Sequence, residues 1–218
     1  MFIINCKNYE EIAGNKIIRL AKIIEKVSKK YNIKIALAPP NHLLTKVTEI
    51  SIPVLAQHVD NTKVGNTTGF MIPELLKASK IVGSLINHSE HRIPPNDIKE
   101  LVLRLRKLKM ISIVCVRNIA EAQKYAKLNP SYIAIEPPEL IGSGKAVSKE
   151  KPELITKAVT AVKKANNSTK LLCGAGIILG EDVEKTIQLG AKGILVASGI
   201  IKSKNWEKTI IEFSKAMI

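Results

Sequence analysis

Eight times along the chain, a short run of apolar residues gives way to a longer stretch in which Ile, Leu and Val recur at helical spacing. The apolar runs fall at 2–5, 33–38, 52–57, 81–85, 111–116, 131–135, 171–173 and 193–196. The helical stretches fall at 12–29, 41–46, 72–79, 97–108, 118–127, 149–165, 182–189 and 205–215. The repeat is roughly 27 residues, about what one strand-plus-helix unit needs. The strands are apolar on both faces, without the in–out alternation of a sheet that meets water. That pattern belongs to parallel strands covered by helices. No linker interrupts it, so residues 1–218 read as one domain, and eight such units most simply close into a (β/α)8 barrel with some outer helices shortened, notably 41–46 and 118–127. A doubly wound open sheet is the alternative. Against it, the first strand runs into Cys6-Lys7-Asn8-Tyr9 rather than a Gly-x-Gly-x-x-Gly turn, and no Gly-x4-Gly-Lys-[Ser/Thr] loop occurs anywhere.

In such a barrel the carboxyl ends of all eight strands share one mouth, and chemistry is done there. Strand one delivers Asn5 and Lys7. Strand three delivers Gln57 and His58, strand four Asn87, His88, Ser89 and Glu90, and strand six Glu136. Strand seven delivers Gly174, Ala175 and Gly176, and strand eight Ala197, Ser198 and Gly199. Two groups emerge: titratable side chains (Lys7, His88, Glu90, Glu136) and small residues with free amides. Amides after strands seven and eight, with a helix starting near Ser198, form the usual phosphate cradle of barrel enzymes.

The stretch 133–145, Ile-Ala-Ile-Glu-Pro-Pro-Glu-Leu-Ile-Gly-Ser-Gly-Lys, holds the most chemistry. Pro137 and Pro138 fix their own φ and bias the residues before them toward extended backbone, so Glu136 stands at a strand end before a stiff turn. Gly142, Ser143 and Gly144 supply a turning element beyond it. This reads either as a base beneath a lid or as a surface acid in an ordinary proline loop. With an imidazole and an ammonium on the same mouth, the first reading gives a proton abstraction beside a carbonyl. Glu136 takes the proton, His88 donates to the carbonyl oxygen, Lys7 stabilises the oxyanion and Asn5 holds the corner.

No metal or other cofactor is implied. The four histidines (His42, His58, His88, His91) lack His-x-His or His-Glu-x-x-His spacing. His58 and His91 read as scaffold or surface residues, and Tyr9 and Gln57 as packing or hydrogen-bonding ones. Cys6, Cys115 and Cys173 are odd in number, far apart and without Cys-x-x-Cys spacing, which argues against a disulfide framework and for a reducing compartment. The opening residues reach Asn5 and Lys7 too soon for a secretory leader, and no apolar run is long enough to span a bilayer, so a cytoplasmic protein without a membrane partner is expected. The net charge of +15 (34 Lys+Arg against 19 Asp+Glu) raises a nucleic-acid partner. The lysines, however, are spread over helical positions, and eight aromatic residues are too few for stacking platforms. No nucleic-acid partner is expected; an RNA-binding scaffold would declare itself by tight, steeply salt-dependent RNA binding.

The motifs at the strand ends resemble those of the triosephosphate isomerase family in its short archaeal form, from end to end. The family's Asn-x-Lys stands as Asn5-Cys6-Lys7. Its Asn-His-Ser-Glu stands as Asn87-His88-Ser89-Glu90, with Arg92 following. Its Glu-Pro leading to Gly-Thr-Gly stands as Glu136-Pro137 and Gly142-Ser143-Gly144. Each motif alone is weak; in order and together they are specific. The resemblance implies interconversion of dihydroxyacetone phosphate and D-glyceraldehyde 3-phosphate through an enediol or enediolate. It implies Glu136 as base, His88 as neutral electrophile beside a helix N-terminus, Lys7 on the oxyanion side, and Glu90 ordering Lys7 or shuttling protons nearby. Phosphate would be held by amides of Ile141 or Gly142, Gly176, Ala197 and Ser198, under a lid that excludes water. A different phosphate-binding barrel isomerase would place paired acids or a cysteine base at other strand ends.

Three departures from the common family pattern stand out. Glu139 replaces a hinge Trp, Gly176 replaces a serine of the phosphate loop, and Ala197-Ser198 replace a pair of glycines. The resemblance also implies self-association. The loop 60–69, with Thr68-Gly69 at its tip, would insert into a second copy near the Asn-x-Lys corner, giving a dimer and, in archaeal members, a tetramer.

Overall fold

A computed structural model of the chain describes residues 1–218. The strands are β1 (Phe2–Asn5), β2 (Ile35–Ala38), β3 (Leu55–Ala56), β4 (Gly83–Ile86), β5 (Ile111–Val116), β6 (Tyr132–Ile135), β7 (Lys170–Cys173) and β8 (Ile194–Val196). The helices are α1 (Lys16–Tyr31), α2 (Pro73–Ala78), α3 (Pro95–Lys107), α4 (Ile119–Ala126), α5 (Val147–Glu150), α6 (Pro152–Ala165), α7 (Gly180–Gln188), α8 (Ser198–Ile201) and α9 (Trp206–Lys215). All paired strands run parallel, in the order β2-β1-β8-β7-β6-β5-β4-β3. The two ends of that order meet at one bridge, Leu37 against Val54, where the Leu37 amide also donates to the Pro53 carbonyl at 2.9 Å. The sheet is therefore a nearly closed eight-stranded barrel ringed by helices.

Strand period two divides the core in two. Ile3, Ala36, Ala38, Leu55, Leu85, Ile113, Cys115, Ala134, Leu172 and Leu195 point inward and fill the barrel. Their neighbours, such as Phe2, Ile4, Leu37, Ile133 and Ile135, point outward into a second, larger apolar layer under the helices. Each strand thus buries both faces, which is why none shows polar alternation.

Several elements differ from the expected bounds. Strand three is two residues rather than six: Pro53 has no N–H for a ladder, and the segment pairs with β4 only through Leu55 and Ala56. The 41–46 segment is a 3₁₀ turn over Asn41–Val47. The first helix starts at Lys16, because Gly14 takes φ +62 after a short 3₁₀ turn at Glu10–Ile12. The 149–165 helix is split into α5 and α6 at Lys151, since Pro152 cannot donate and instead begins a new helix.

Candidate active site

Parity aims the site residues. The inward positions Ile3, Ala134, Leu172 and Leu195 are followed two residues later by Asn5, Glu136, Gly174 and Ala197, all at the mouth. Glu136 continues the β6 ladder by donating its amide to Val116 O at 2.9 Å. Its carboxylate is almost wholly buried, and Oε2 has no hydrogen-bond partner. Gly174 makes room for it: a Cβ there would stand 2.8 Å from Glu136 Cγ.

On β4 the next inward position, Asn87, adopts φ +62, and the chain turns so that His88 reaches the mouth. Asn87 locks that turn, its Oδ1 accepting from Ile93 N at 3.2 Å and its Nδ2 donating to Cys115 O at 3.1 Å. Arg92 adds donations to the carbonyls of Asn87 (3.1 Å) and Cys115 (3.3 Å). The imidazole is thereby held with Nε2 3.5 Å from Glu136 Oε2. The Glu90 amide donates to His88 Nδ1 at 3.3 Å. That nitrogen is an acceptor, so the ring carries its proton on Nε2, facing the mouth. The amide belongs to a turn; the next helix, α3, begins only at Pro95, so the expected helix N-terminus beside His88 is replaced by one oriented N–H.

Lys7 sits in the left-handed region at φ +45, which costs about 1 kcal/mol for a residue with a Cβ. The turn is held from three directions. Asn5 Oδ1 accepts from Lys7 N at 3.0 Å, while Gln57 Nε2 donates to Lys7 O and Ala38 O at 3.1 Å each and approaches Asn5 Oδ1 at 3.3 Å. Gln57 is thus a fastener of this corner. The Lys7 ammonium meets Glu90 Oε1 at 2.5 Å.

Two clefts meet at Lys7. One, of about 410 Å³, is lined only by polar residues, Asn5, Lys7, His88, Glu90, Asn41 and His42 among them. The other, of about 70 Å³, brings together Lys7, Glu136, Ile141, Gly142, Gly176, Ala197 and Ser198. The amides of Gly142, Gly176, Ala197 and Ser198 donate to no acceptor within the protein, and neither does that of Gly199 at the same strand end. Gly142 and Ser198 are exposed and Gly176, Ala197 and Gly199 half-buried, so these donors stand open at the mouth. By contrast the amides of Ile178 and Leu179 are taken by Asp182, and that of Gly180 by Glu212. The start of α7 is thus occupied, and the free donors gather in the small cleft.

The lid turns at Gly142 (φ +70) and Gly144 (φ +75), with Ser143 Oγ donating to Leu140 O at 2.9 Å and accepting from Lys145 N at 3.1 Å. Glu139, in place of the family's hinge Trp, pairs with Lys151. Gly176, at φ +68, leaves no room for a side chain: a Cβ would fall 1.7 Å from the Lys145 carbonyl oxygen. No Trp contact or serine hydroxyl is available here, and the lid's far end rests directly on backbone.

The remaining titratable groups stand aside. Burial pushes the thiols of Cys6, Cys115 and Cys173 up, and the Glu136 carboxylate pushes the latter two further, so none is a poised nucleophile. His58 and His91 stack at 3.8 Å between centroids, and His58 Nε2 lies 3.1 Å from Asp60 Oδ1. No three of the His, Cys, Asp and Glu side chains converge closely enough to hold a metal ion.

A family model described as triosephosphate isomerase matches residues 1–214. A triosephosphate isomerase of Cenarchaeum symbiosum is 54% identical over 217 residues, covering 100% of this chain and 97% of its own. Those of Methanothermus fervidus (44% over 218 residues; 100% and 98% of the two chains) and Methanocaldococcus jannaschii (46% over 216 residues; 99% of each) are similar along the same full length.

Proposed function

The chain belongs to the triosephosphate isomerase family, and on that premise we propose that Glu136 and His88 carry the proton transfers of its reaction. The reaction is the interconversion of dihydroxyacetone phosphate and D-glyceraldehyde 3-phosphate, an intramolecular aldose–ketose isomerisation. In our reading Glu136 removes the carbon-bound proton and returns it to the neighbouring carbon. A buried carboxylate oxygen with no hydrogen-bond donor of its own is open to accept that proton. His88 donates from Nε2 to the substrate oxygens as the enediolate forms. Lys7 lies on the oxyanion side, and Glu90 holds its ammonium in place. Asn5 positions the Lys7 turn.

The free amides of Gly142, Gly176, Ala197 and Ser198, with Ile141 beside them, grip the phosphate and close over it. A dianion held by oriented N–H groups needs no lysine pushed into the pocket. The observation that carries this reading is the 3.5 Å approach of His88 Nε2 to Glu136 Oε2 beside a cleft of unpaired amides. A triose phosphate isomerisation assay coupled to a dehydrogenase, with phosphoglycolate as inhibitor, tests it. Turnover lost in His88→Gln with phosphoglycolate binding kept is the expected result; full turnover would remove His88 from the chemistry.

Self-association completes the proposal. The loop 60–71 is pinched at its neck by Asp60 N donating to Met71 O (2.9 Å) and Met71 N donating to Asp60 Oδ2 (2.7 Å). It carries Val64 and Phe70 about half exposed, with Thr68 and Gly69 (φ +84) at the surface between them. We read it as the element that docks on the polar cleft at the Asn5–Lys7 corner of a second copy, in a dimer and beyond it a tetramer. Residues 1–218 would act as one catalytic domain, in the cytoplasm. The setting is supported by three unpaired buried thiols, and no helix is long and apolar enough to cross a membrane.

A further inference from the structure

Asp182 is one of the few acidic side chains that the protein buries. It is the third residue of α7, and its Oδ2 reaches back to accept from Leu179 N at 3.0 Å, the ordinary habit of an acid in a first helical turn. Two further contacts exceed that habit. The same oxygen accepts from Ile178 N at 3.1 Å, one residue deeper into the phosphate loop. The other oxygen, Oδ1, is enclosed, accepts no hydrogen bond of good geometry, and faces the Lys149 ammonium at 3.2 Å.

Lys149 lies on α5, the first helix after the lid, and also pairs with Glu181. Three residues before the start of that helix, at Gly144, the lid passes beside Ile178 along the small cleft, where an added Cβ would come within 3.8 Å of Ile178 Cδ1. Next to it, the Lys145 carbonyl rests on Gly176 so closely that no side chain fits between them. The lid's trailing end and the phosphate loop are thus joined twice, once by backbone contact and once through Lys149 and Asp182.

From this we infer that Asp182 and Lys149 are positioning residues that set the phosphate-gripping loop against the base of the lid. The physical reason is the state of the carboxylate. A buried charge with half its acceptor capacity unused is costly unless a cation faces it. Lys149 therefore fixes where Asp182 lies, and Asp182 fixes the amides of Ile178 and Leu179. These hold the segment whose next free donors, Ile177 and Gly176, line the small cleft. The Lys149 amine is held protonated above its ordinary range, chiefly by Glu181 and then by Asp182. Lys151, two residues on, pairs with Glu139 in the lid's leading hinge. One short lysine-bearing segment therefore anchors both ends of the lid.

The inference rests on the proposed phosphate grip, so its test must separate the two. Lys149→Met removes an exposed ammonium and leaves the fold intact; Asp182→Asn keeps one acceptor for the cap but loses the attraction to Lys149. Each is expected to raise the phosphoglycolate inhibition constant and the triose phosphate KM about tenfold, since misplacing a grip by less than 1 Å sacrifices up to ~100-fold. Turnover of D-glyceraldehyde, which has no phosphate, should change less than about twofold, and Lys149→Arg should restore the inhibition constant. Equal losses with and without the phosphate, or an unchanged inhibition constant in Lys149→Met, would overturn the inference. Wild-type protein indifferent to phosphoglycolate would instead overturn the phosphate grip itself.

Discussion

Shortening the base by one methylene is the sharpest perturbation the site offers. In Glu136→Asp the carboxylate withdraws by up to about 1.5 Å, the length of one C–C bond. Its separation from His88 Nε2 grows from 3.5 Å toward about 5 Å. The backbone cannot advance to compensate. The Glu136 amide is tied to Val116 O at 2.9 Å, Gly174 N is tied to Ile135 O at 3.0 Å, and Pro137 fixes the next φ at −58. A base displaced by about 1 Å from its near-attack position loses on the order of 100-fold; the full 1.5 Å takes that toward ~1000-fold, or about 4 kcal/mol of barrier. The phosphate amides belong to other residues, so KM should stay within about threefold. Stability should fall by about 1 kcal/mol, the worth of one buried methylene. The coupled isomerase assay gives kcat and KM, phosphoglycolate inhibition reports the intact grip, and thermal denaturation bounds the structural loss. A kcat within a few-fold of wild type, or a loss expressed only in KM, would refute the assignment of Glu136 as base.

Lys7→Ala should abolish measurable isomerisation while circular dichroism and thermal midpoint stay near wild type, because Asn5 and Gln57 still fasten the corner; an active variant would exclude Lys7 from the oxyanion role. Gly176→Ser should raise the triose phosphate KM at least about tenfold, since its side chain meets the Lys145 carbonyl; an unchanged KM would mean that the lid's trailing end does not rest there when substrate is bound. Phe70→Lys should shift sedimentation velocity toward smaller species, and an unchanged distribution would remove the loop from the association surface. The His58 imidazole is held below its ordinary range, mainly by burial and further by His91, with Asp60 opposing. The unfolded chain therefore takes up that proton first, and stability should drop as pH falls below about 6.5. His58→Gln should flatten the thermal midpoint between pH 7 and 5; the lowered carboxylates Glu74 and Glu121 act only in a more acidic window.

The barrel was legible because each strand buries both faces, and the titratable site because its residues fall where strands stop. Asn5, Glu136, Gly174 and Ala197 could be placed by counting in twos from the inward core. What stayed hidden had no side-chain signal. β3 is short because Pro53 lacks a donor and because its neighbour β2 meets it at a single bridge, a matter of pairing that hydropathy does not record. The protonation site of His88 is set by a main-chain N–H from a turn, where a helix start was expected. Gly176 was visible as a missing hydroxyl, yet the cause is the carbonyl of Lys145, thirty-one residues earlier in the chain. Asp182 looked like one acid in a helical stretch; only the fold brings Lys149 to its unused oxygen.

These contrasts bear on how a chain with 34 lysines and arginines handles an anionic substrate. Of all those cations, only Lys7 lines the small cleft, and it is already paired with Glu90. In the proposed grip the donors left for a phosphate are the amides that no local carboxylate takes, unlike those of Ile178, Leu179 and Gly180. Surface lysines act through a field that salt screens within about 10 Å, so their contribution is to the rate of encounter. Under the proposed closed lid the amides would be screened far less, and on that reading they set the affinity. The division is also a structural economy. A further lysine in the pocket, lacking the Glu90 partner that occupies Lys7, would be drawn to the Glu136 carboxylate and would compete for the oxygen that the proposed proton transfer uses. On the proposed reading, holding the phosphate by main-chain N–H groups would leave the buried, unpartnered Glu136 oxygen free to act, and the small residues after β7 and β8 would then matter to the chemistry as much as Glu136 does.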